Sequence, residues 1–155
     1  MKITIIEIGK TKAGWIEEGV KSLEKQLAPY ASLSKIDLKE TRIAKTYTLD
    51  RVIIEEGQSI LRHIDSTHFT VALDETGEQM NSLKFAELLK QKQDLGTPIT
   101  FIIGGPFGLS AEVKSHANLI LSVSEMTFTH QMIRLFLLEQ IYRATTINLG
   151  KEYHH

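Results

Sequence analysis

The chain of 155 residues contains no cysteine. Disulfides and thiolate-held metals are therefore excluded, which fits a reducing, cytoplasmic setting. Its histidines stand at positions 63, 68, 116, 130, 154 and 155 with no His-Glu-x-x-His pair, so no metal is expected. The opening Met1-Lys2-Ile3-Thr4-Ile5-Ile6-Glu7 lacks the longer apolar region and cleavage site of a signal peptide. No unbroken apolar run approaches the roughly 18–20 residues that span a bilayer. Charge of neither sign dominates, with Lys+Arg 18 against Asp+Glu 19 and a net charge of −1. Proteins that grip naked nucleic acid through its phosphates are usually basic. Either nucleic acid is not the partner, or binding relies on a local patch, a dimer surface or a preformed ribonucleoprotein. Three further signatures are missing: the Gly-x-Gly-x-x-Gly dinucleotide fingerprint, the Gly-Lys-Ser/Thr of a P-loop and the Gly-x-Ser-x-Gly nucleophile elbow. There is no internal repeat, linker or low-complexity stretch.

What remains is the length of one domain, with 42% hydrophobic and 24% charged residues, ordinary for a globular α/β protein. Residues 2–8 are β-branched and read as a strand. Residues 15–28 follow helical spacing, with Trp15, Val20, Leu23 and Leu27 in one stripe and Pro29 closing it. A second strand is expected around 33–38, a loop over 40–48 and a helix over 49–64, weakened by Gly57. Residues 68–73 read as a strand ending at Asp74. Ser82 is the expected N-cap of a helix over 83–94 that stops at Gly96. Residues 98–103 form a buried-type strand, Ser110 caps a short helix to about 116, and 118–121 form a fifth strand. After a loop over 122–129, with Thr129 as N-cap, comes a helix over 130–146. Its apolar residues are too many for one stripe, so it is buried on several sides, and in so small a protein that suggests a subunit interface. Strands alternating with helices imply an α/β domain with a mainly parallel sheet.

Ligands of open parallel sheets bind beyond the carboxyl ends of the strands. The loops after Leu73, Ile103 and Leu121 therefore qualify. Gly104-Gly105-Pro106-Phe107-Gly108 is either a sharp strand-to-helix turn or a loop that wraps a ligand with its backbone groups. His130 is either a first-turn surface histidine or part of a site. Arg134 and Arg143 flank Glu139 on the last helix. They serve an ion pair, or they bind phosphate or carboxylate, and nine residues of separation keep them off a common face. The ending Tyr153-His154-His155 reads as a tag remnant or as a stacking ring beside a titratable group.

Several segments stand in one order along the whole chain. They are the opening strand with Gly9-Lys10, Glu55-Glu56-Gly57, Leu73-Asp74, and Ile102-Ile103-Gly104-Gly105-Pro106-Phe107-Gly108-Leu109. Ser124-Glu125-Met126-Thr127-Phe128-Thr129-His130 follows, then Arg134, Glu139-Gln140-Ile141-Tyr142-Arg143-Ala144 and Tyr153-His154. In these the chain resembles the large-subunit ribosomal RNA pseudouridine N3-methyltransferases, the RlmH type of the SPOUT superfamily. Two departures are Thr129 where the family usually has proline, and His155 where it usually ends in Lys or Arg.

The resemblance implies one SPOUT α/β-knot domain over 1–155, with a deep trefoil knot in its C-terminal half, and a homodimer with cofactor pockets at the interface. It implies S-adenosylmethionine, held by Leu73, Gly104 and the run Val123, Ser124, Glu125, Met126, Thr127 and Phe128. It implies methylation of N3 of a pseudouridine in 23S ribosomal RNA, with the assembled ribosome as partner. His154 is the leading general base and His130 the second. Arg143 would stabilise charge or hold a phosphate, and Tyr153 would stack on or hydrogen-bond to the base. The competing readings are a different SPOUT RNA methyltransferase, or a non-catalytic dimeric ribosome-assembly or ligand-binding factor.

Overall fold

The computed structural model describes residues 1–41 and 48–151. Most of the expected 40–48 loop, and the tail with Tyr153, His154 and His155, lie outside the described residues. Among the described residues, strands β1 (Lys2–Ile8), β2 (Ser32–Leu38), β3 (Phe69–Gln79), β4 (Ile99–Ile103) and β5 (Leu119–Ser122) alternate with helices. These are α1 (Gly14–Leu27), α2 (Leu49–Leu61), α3 (Ser82–Asp94), α4 (Ala111–His116) and α5 (His130–Asn148).

The sheet runs in the order β2-β1-β4-β3-β5, and every pairing is parallel. Central β4 is buried at every residue, as a strand covered on both faces must be. Alternation along β1 divides the core between those faces. Ile3 and Ile5 join Phe101, Phe85 of α3 and Leu137, Leu138 and Ile141 of α5. Ile6 and Ile8 join Ile102, Ile60 of α2 and Val113 of α4.

Four local expectations are corrected. The buried stripe of α1 runs through Ile16, Val20 and Leu27, and Trp15 is 63% exposed; one residue turns the helix by roughly 100°, which carries Trp15 off the core side. The N-cap of α3 is Asn81, whose side chain accepts the Lys84 N–H at 2.9 Å. Ser82 instead donates its hydroxyl to Gln140 on α5 at 2.8 Å. Helix α2 ends at Leu61 rather than 64. Strand β3 does not end at Asp74: Leu121 of β5 pairs with both Leu73 and Glu78, so residues 74–77 loop out and the strand then resumes.

Gly57, which weakens the helix signal, is needed for packing. A β-carbon there would strike the Ser110 side chain, 2.9 Å from its Cβ. The glycine therefore lets α2 lie close against the start of α4.

Helix α5 packs against α1, α3 and β4, and none of its residues from His130 to Ile147 is exposed. Within the chain, this accounts for much of its all-round apolar character. Its first turns are fixed by polar contacts. Arg134 is 2% exposed and its Nε stands 3.3 Å from Oε2 of Glu7, itself 3% exposed. Nη2 donates to the carbonyls of Ile8 (2.6 Å) and Gly9 (3.0 Å), and Nη1 to the Thr11 hydroxyl (2.9 Å). The Gln131 side-chain oxygen accepts the N–H groups of Lys12 and Ala13 at 2.9 and 3.2 Å. Burial pushes the Glu7 carboxyl above its ordinary pKa, against the pull of Arg134 and Lys35. Truncating one partner of a buried pair strands the other, at a cost of about 3–5 kcal/mol. Arg134→Met should therefore lower the unfolding free energy in urea by about that much. Adding Glu7→Gln to Arg134→Met should recover part of the loss, and a double variant no more stable than the single one would show that the pair is not the cause.

Candidate functional site

A cleft of about 1120 Å³ opens at the bulge within β3 and beyond the carboxyl ends of β4 and β5. Those strands are neighbours in the sheet, so the bulge and the two loops converge. Its walls come from residues 73–76, 103–109, 121–133 except Ser122 and Glu125, Lys114, and the start of α1 through Trp15. A smaller groove of about 500 Å³ lies between α3 and α5 and shares Leu121, Val123, Ser124 and Phe128 with it.

The loop after β4 is a tight turn. Gly105 and Gly108 bridge each other, the Gly108 N–H donating to the Gly105 carbonyl at 3.1 Å. Gly108 takes φ +81°, which disfavours any residue with a β-carbon. A β-carbon on Gly104 would lie 2.8 Å from the Gly108 carbonyl oxygen, so the turn closes only over glycine. Ser110 then caps α4 by accepting the Val113 N–H at 3.2 Å.

The loop bulging from β3 carries Asp74, Glu75 and Thr76. Asp74 Oδ1 accepts the backbone N–H (3.0 Å) and hydroxyl (2.6 Å) of Thr76, and Oδ2 meets Lys114 Nζ at 3.0 Å. Burial works to raise this carboxyl, but the Thr76 hydrogen bonds and Lys114 outweigh it and hold the pKa below the ordinary value. Asp74 is thus ionised at neutral pH. The Thr127 hydroxyl donates to Glu75 at 2.6 Å and joins the β3 bulge to the loop after β5 across the cleft.

The loop after β5 folds on itself. The Ser122 hydroxyl donates to the Ser124 carbonyl at 2.7 Å, and Ser124 Oγ accepts the Met126 N–H at 2.9 Å. Phe128 meets Phe136 edge-on, with centroids 4.9 Å apart. Thr129 caps α5 through the Met132 N–H, 3.3 Å away, as the sequence suggests. His130 follows on the cleft wall. Burial, and then the nearby Arg134, lower its pKa, so the ring is neutral at neutral pH.

The structure therefore gathers Leu73, Gly104, Val123, Ser124, Met126, Thr127, Phe128 and His130 around one cleft. Glu125 lies in the same loop, exposed, and does not wall the cleft. Arg143 is not brought there. It pairs with Glu139 one turn back, at 3.0 and 2.5 Å, and stands about 20 Å along α5 from His130 at ~1.5 Å per residue. Tyr153 and His154 lie outside the described residues. Arg134 serves the buried pair with Glu7 rather than a ligand. Sequence reasoning missed Lys114, Glu75 and Gln131, whose partners lie far away in sequence, and placed Trp15, which lies on the cleft wall, in the core. Among the described residues, no group of three acidic or histidine side chains is placed to hold a metal, and no helix is long and apolar enough to cross a membrane.

A family model described as predicted SPOUT methyltransferase matches residues 1–154. The ribosomal RNA large subunit methyltransferase H of Trichlorobacter lovleyi is 45% identical over 156 residues, covering 100% of both chains. The protein of the same name from Carboxydothermus hydrogenoformans is 40% identical over 158 residues, covering 99% of each chain. A solved tRNA methyltransferase from Aquifex aeolicus superposes with a TM-score of 0.56 at 13% identity, over 92% of this chain and 70% of that one, a likeness of fold. The chain belongs to the SPOUT methyltransferase family.

Proposed function

We propose that this chain is an S-adenosylmethionine-dependent methyltransferase acting on N3 of a pseudouridine in 23S ribosomal RNA. It works as a cytoplasmic homodimer on the assembled ribosome, as one domain over 1–155 with a deep trefoil knot in the C-terminal half. The observation that carries the reading is the convergence of the β3 bulge and the loops after β4 and β5 on one cleft, in a chain 45% identical throughout to a protein named for ribosomal RNA methylation.

The cleft suits such a cofactor. Small-molecule sites commonly measure about 300–1,000 Å³ and are mostly apolar, with a few placed polar groups. Leu73, Val123, Met126 and Phe128 offer an adenine ring apolar contact, and Gly104 with Ser124 and Thr127 offers main-chain and hydroxyl groups. Glu125 would contribute through its main chain. When bound, S-adenosylmethionine supplies an electrophilic methyl group.

The protein's own work is to align the base and take its proton. N3 of neutral pseudouridine carries a proton that must leave before or during transfer. His154 is the leading base, its titration range matching the task. His130, neutral on the cleft wall, is the second. Tyr153 stacks on the base, and Arg143 stabilises negative charge on a base carbonyl. Arg143 stands far from the cleft of its own chain, which supports its supply by a second copy. A net charge of −1 provides little general attraction for naked RNA, which favours a preassembled ribosomal surface as the docking site.

Labelled S-adenosylmethionine incubated with intact ribosomes lacking the modification should place label in N3-methylpseudouridine after nucleoside digestion, and free ribosomal RNA should turn over far more slowly. Label in another nucleoside would mean a different RNA methyltransferase; cofactor binding without transfer would mean a non-catalytic factor. His154→Gln should bind cofactor normally and lose roughly 10²–10⁴-fold in transfer, and an unchanged rate and pH profile would remove its role. His130 has a folded pKa below its unfolded value near ~6.5. Acidification below that value should therefore cost stability until the folded pKa is passed, because the unfolded chain takes up the proton first. Urea unfolding from pH 7 to 5 should show a shallower slope for His130→Gln, and identical slopes would contradict the assignment.

A further inference from the structure

Helix α2 turns two adjacent residues toward the loop that follows β4. Gly57 receives Ser110, and Glu56 lies under Gly105. Glu56 is 2% exposed. Its Oε1 accepts the Thr41 N–H at 3.0 Å. Its Oε2 has no hydrogen-bond partner among the described residues. That oxygen rests against the glycine turn so closely that a β-carbon on Gly105 would lie 2.7 Å from it. Burial, helped by the charge of Glu40 and opposed by the Thr41 N–H, pushes the Glu56 carboxyl above its ordinary pKa.

This is an unfavourable way to fill space. An apolar side chain would occupy the same volume without desolvating a carboxyl group. A buried polar group with one oxygen unmatched therefore calls for an explanation, and its location supplies one. Glu56 spans the gap between the segment leaving β2, through Thr41, and the turn leaving β4, through Gly105. Gly104 and Gly105 both wall the cleft with their main chain. Because neither carries a side chain, the height of the turn is set by what lies beneath it. Beneath Gly105 are the Glu56 carboxyl and the Ile8 side chain.

The geometry points to Glu56 as a positioning residue of the cofactor site: seated between Thr41 and Gly105, it sets where the Gly104–Gly108 turn presents its backbone to the cleft. The inference rests on the methyltransferase reading and deepens it. With a shorter side chain the turn loses its support and Thr41 its acceptor. The cofactor then has to order the turn on binding, which weakens affinity while leaving the chemistry of the bound complex intact.

The test is calorimetric titration of the full-length protein with S-adenosylmethionine and with S-adenosylhomocysteine, alongside turnover on ribosomes at saturating cofactor. Glu56→Gln has the same shape and still accepts the Thr41 N–H, so it should bind within about threefold of the unsubstituted protein. Glu56→Ala should bind both ligands about tenfold or more weakly, with KM for cofactor raised and kcat within about twofold. Should Glu56→Ala fail to fold, Glu56→Asp, one methylene shorter, cannot meet Thr41 and Gly105 together and should show a loss of the same kind. Unsubstituted affinity in the Ala or Asp variant would overturn the inference. So would a Gln variant as weak as Ala, or a loss confined to kcat. If the unsubstituted protein binds neither ligand, the methyltransferase reading itself falls and takes this inference with it.

Discussion

A guanidinium buried between β1 and α5 is the contact on which the cleft depends. Arg134 reaches Glu7, two carbonyls at the end of β1 and the Thr11 hydroxyl. Taking two charges out of water is expensive, and an apolar pair of equal volume is often as stable. What the pair provides is direction, since a planar fork whose two Nη groups meet three acceptors while Nε faces Glu7 fits in few orientations. It holds the first turns of α5 against the end of β1, and Gln131 ties the neighbouring Lys12 and Ala13 to the same turns. His130 and the loop over 123–129 are attached to that fixed end. The same charge that anchors the helix also helps keep His130 neutral.

The second constraint is close approach of main chain to main chain. Gly77 in the β3 bulge lies against β5 so tightly that a β-carbon would stand 2.6 Å from the Ile120 carbonyl oxygen. Gly104 meets the Gly108 carbonyl, and Gly57 meets Ser110. Each allows a loop or helix to sit nearer its neighbour than a side chain would permit. The cleft is therefore framed by backbone, with polar side chains as cross-ties: Asp74 to Lys114, and Thr127 to Glu75.

The order of elements was legible because β1 and β4 are short runs rich in β-branched residues and several helices carry their own caps or stops. Thr129 and Ser110 were readable as caps, since the cap bond joins residues three apart. Trp15 was misplaced because its neighbour Ile16 fits the same helical spacing, and only the packing against α5 chooses between them. The β3 bulge was invisible because it is defined by pairing with β5, not by local pattern. The Arg134–Glu7 pair spans most of the chain, and no periodicity reports such a contact. In the site, the glycine turn announced itself by composition. The Asp74–Lys114 and Glu75–Thr127 ties carried no local signal. Arg143 was grouped with the site through resemblance, and its distance from the cleft becomes visible only once α5 is laid out as a straight helix.

That distance separates two tasks within the chain. The cleft walls come from one chain's loops together with the starts of α1 and α5 and Lys114 of α4, fixed by Arg134, the glycine contacts and the cross-ties. The arginine assigned to the reacting base stands about 20 Å further along α5, by the ~1.5 Å rise per residue. On the same helix Met132, Tyr142 and Ile147 are only half-buried. One chain thus folds the cleft by itself, and in the proposed dimer the far end of α5 would reach the cleft of the second copy. The N-terminal turns of α5 are pinned beside the cleft by Arg134 and Gln131, and the length of the helix sets how far from it Arg143 stands. A helix anchored only by apolar contacts would be freer to slide along its axis, and the buried Arg134–Glu7 pair opposes that sliding.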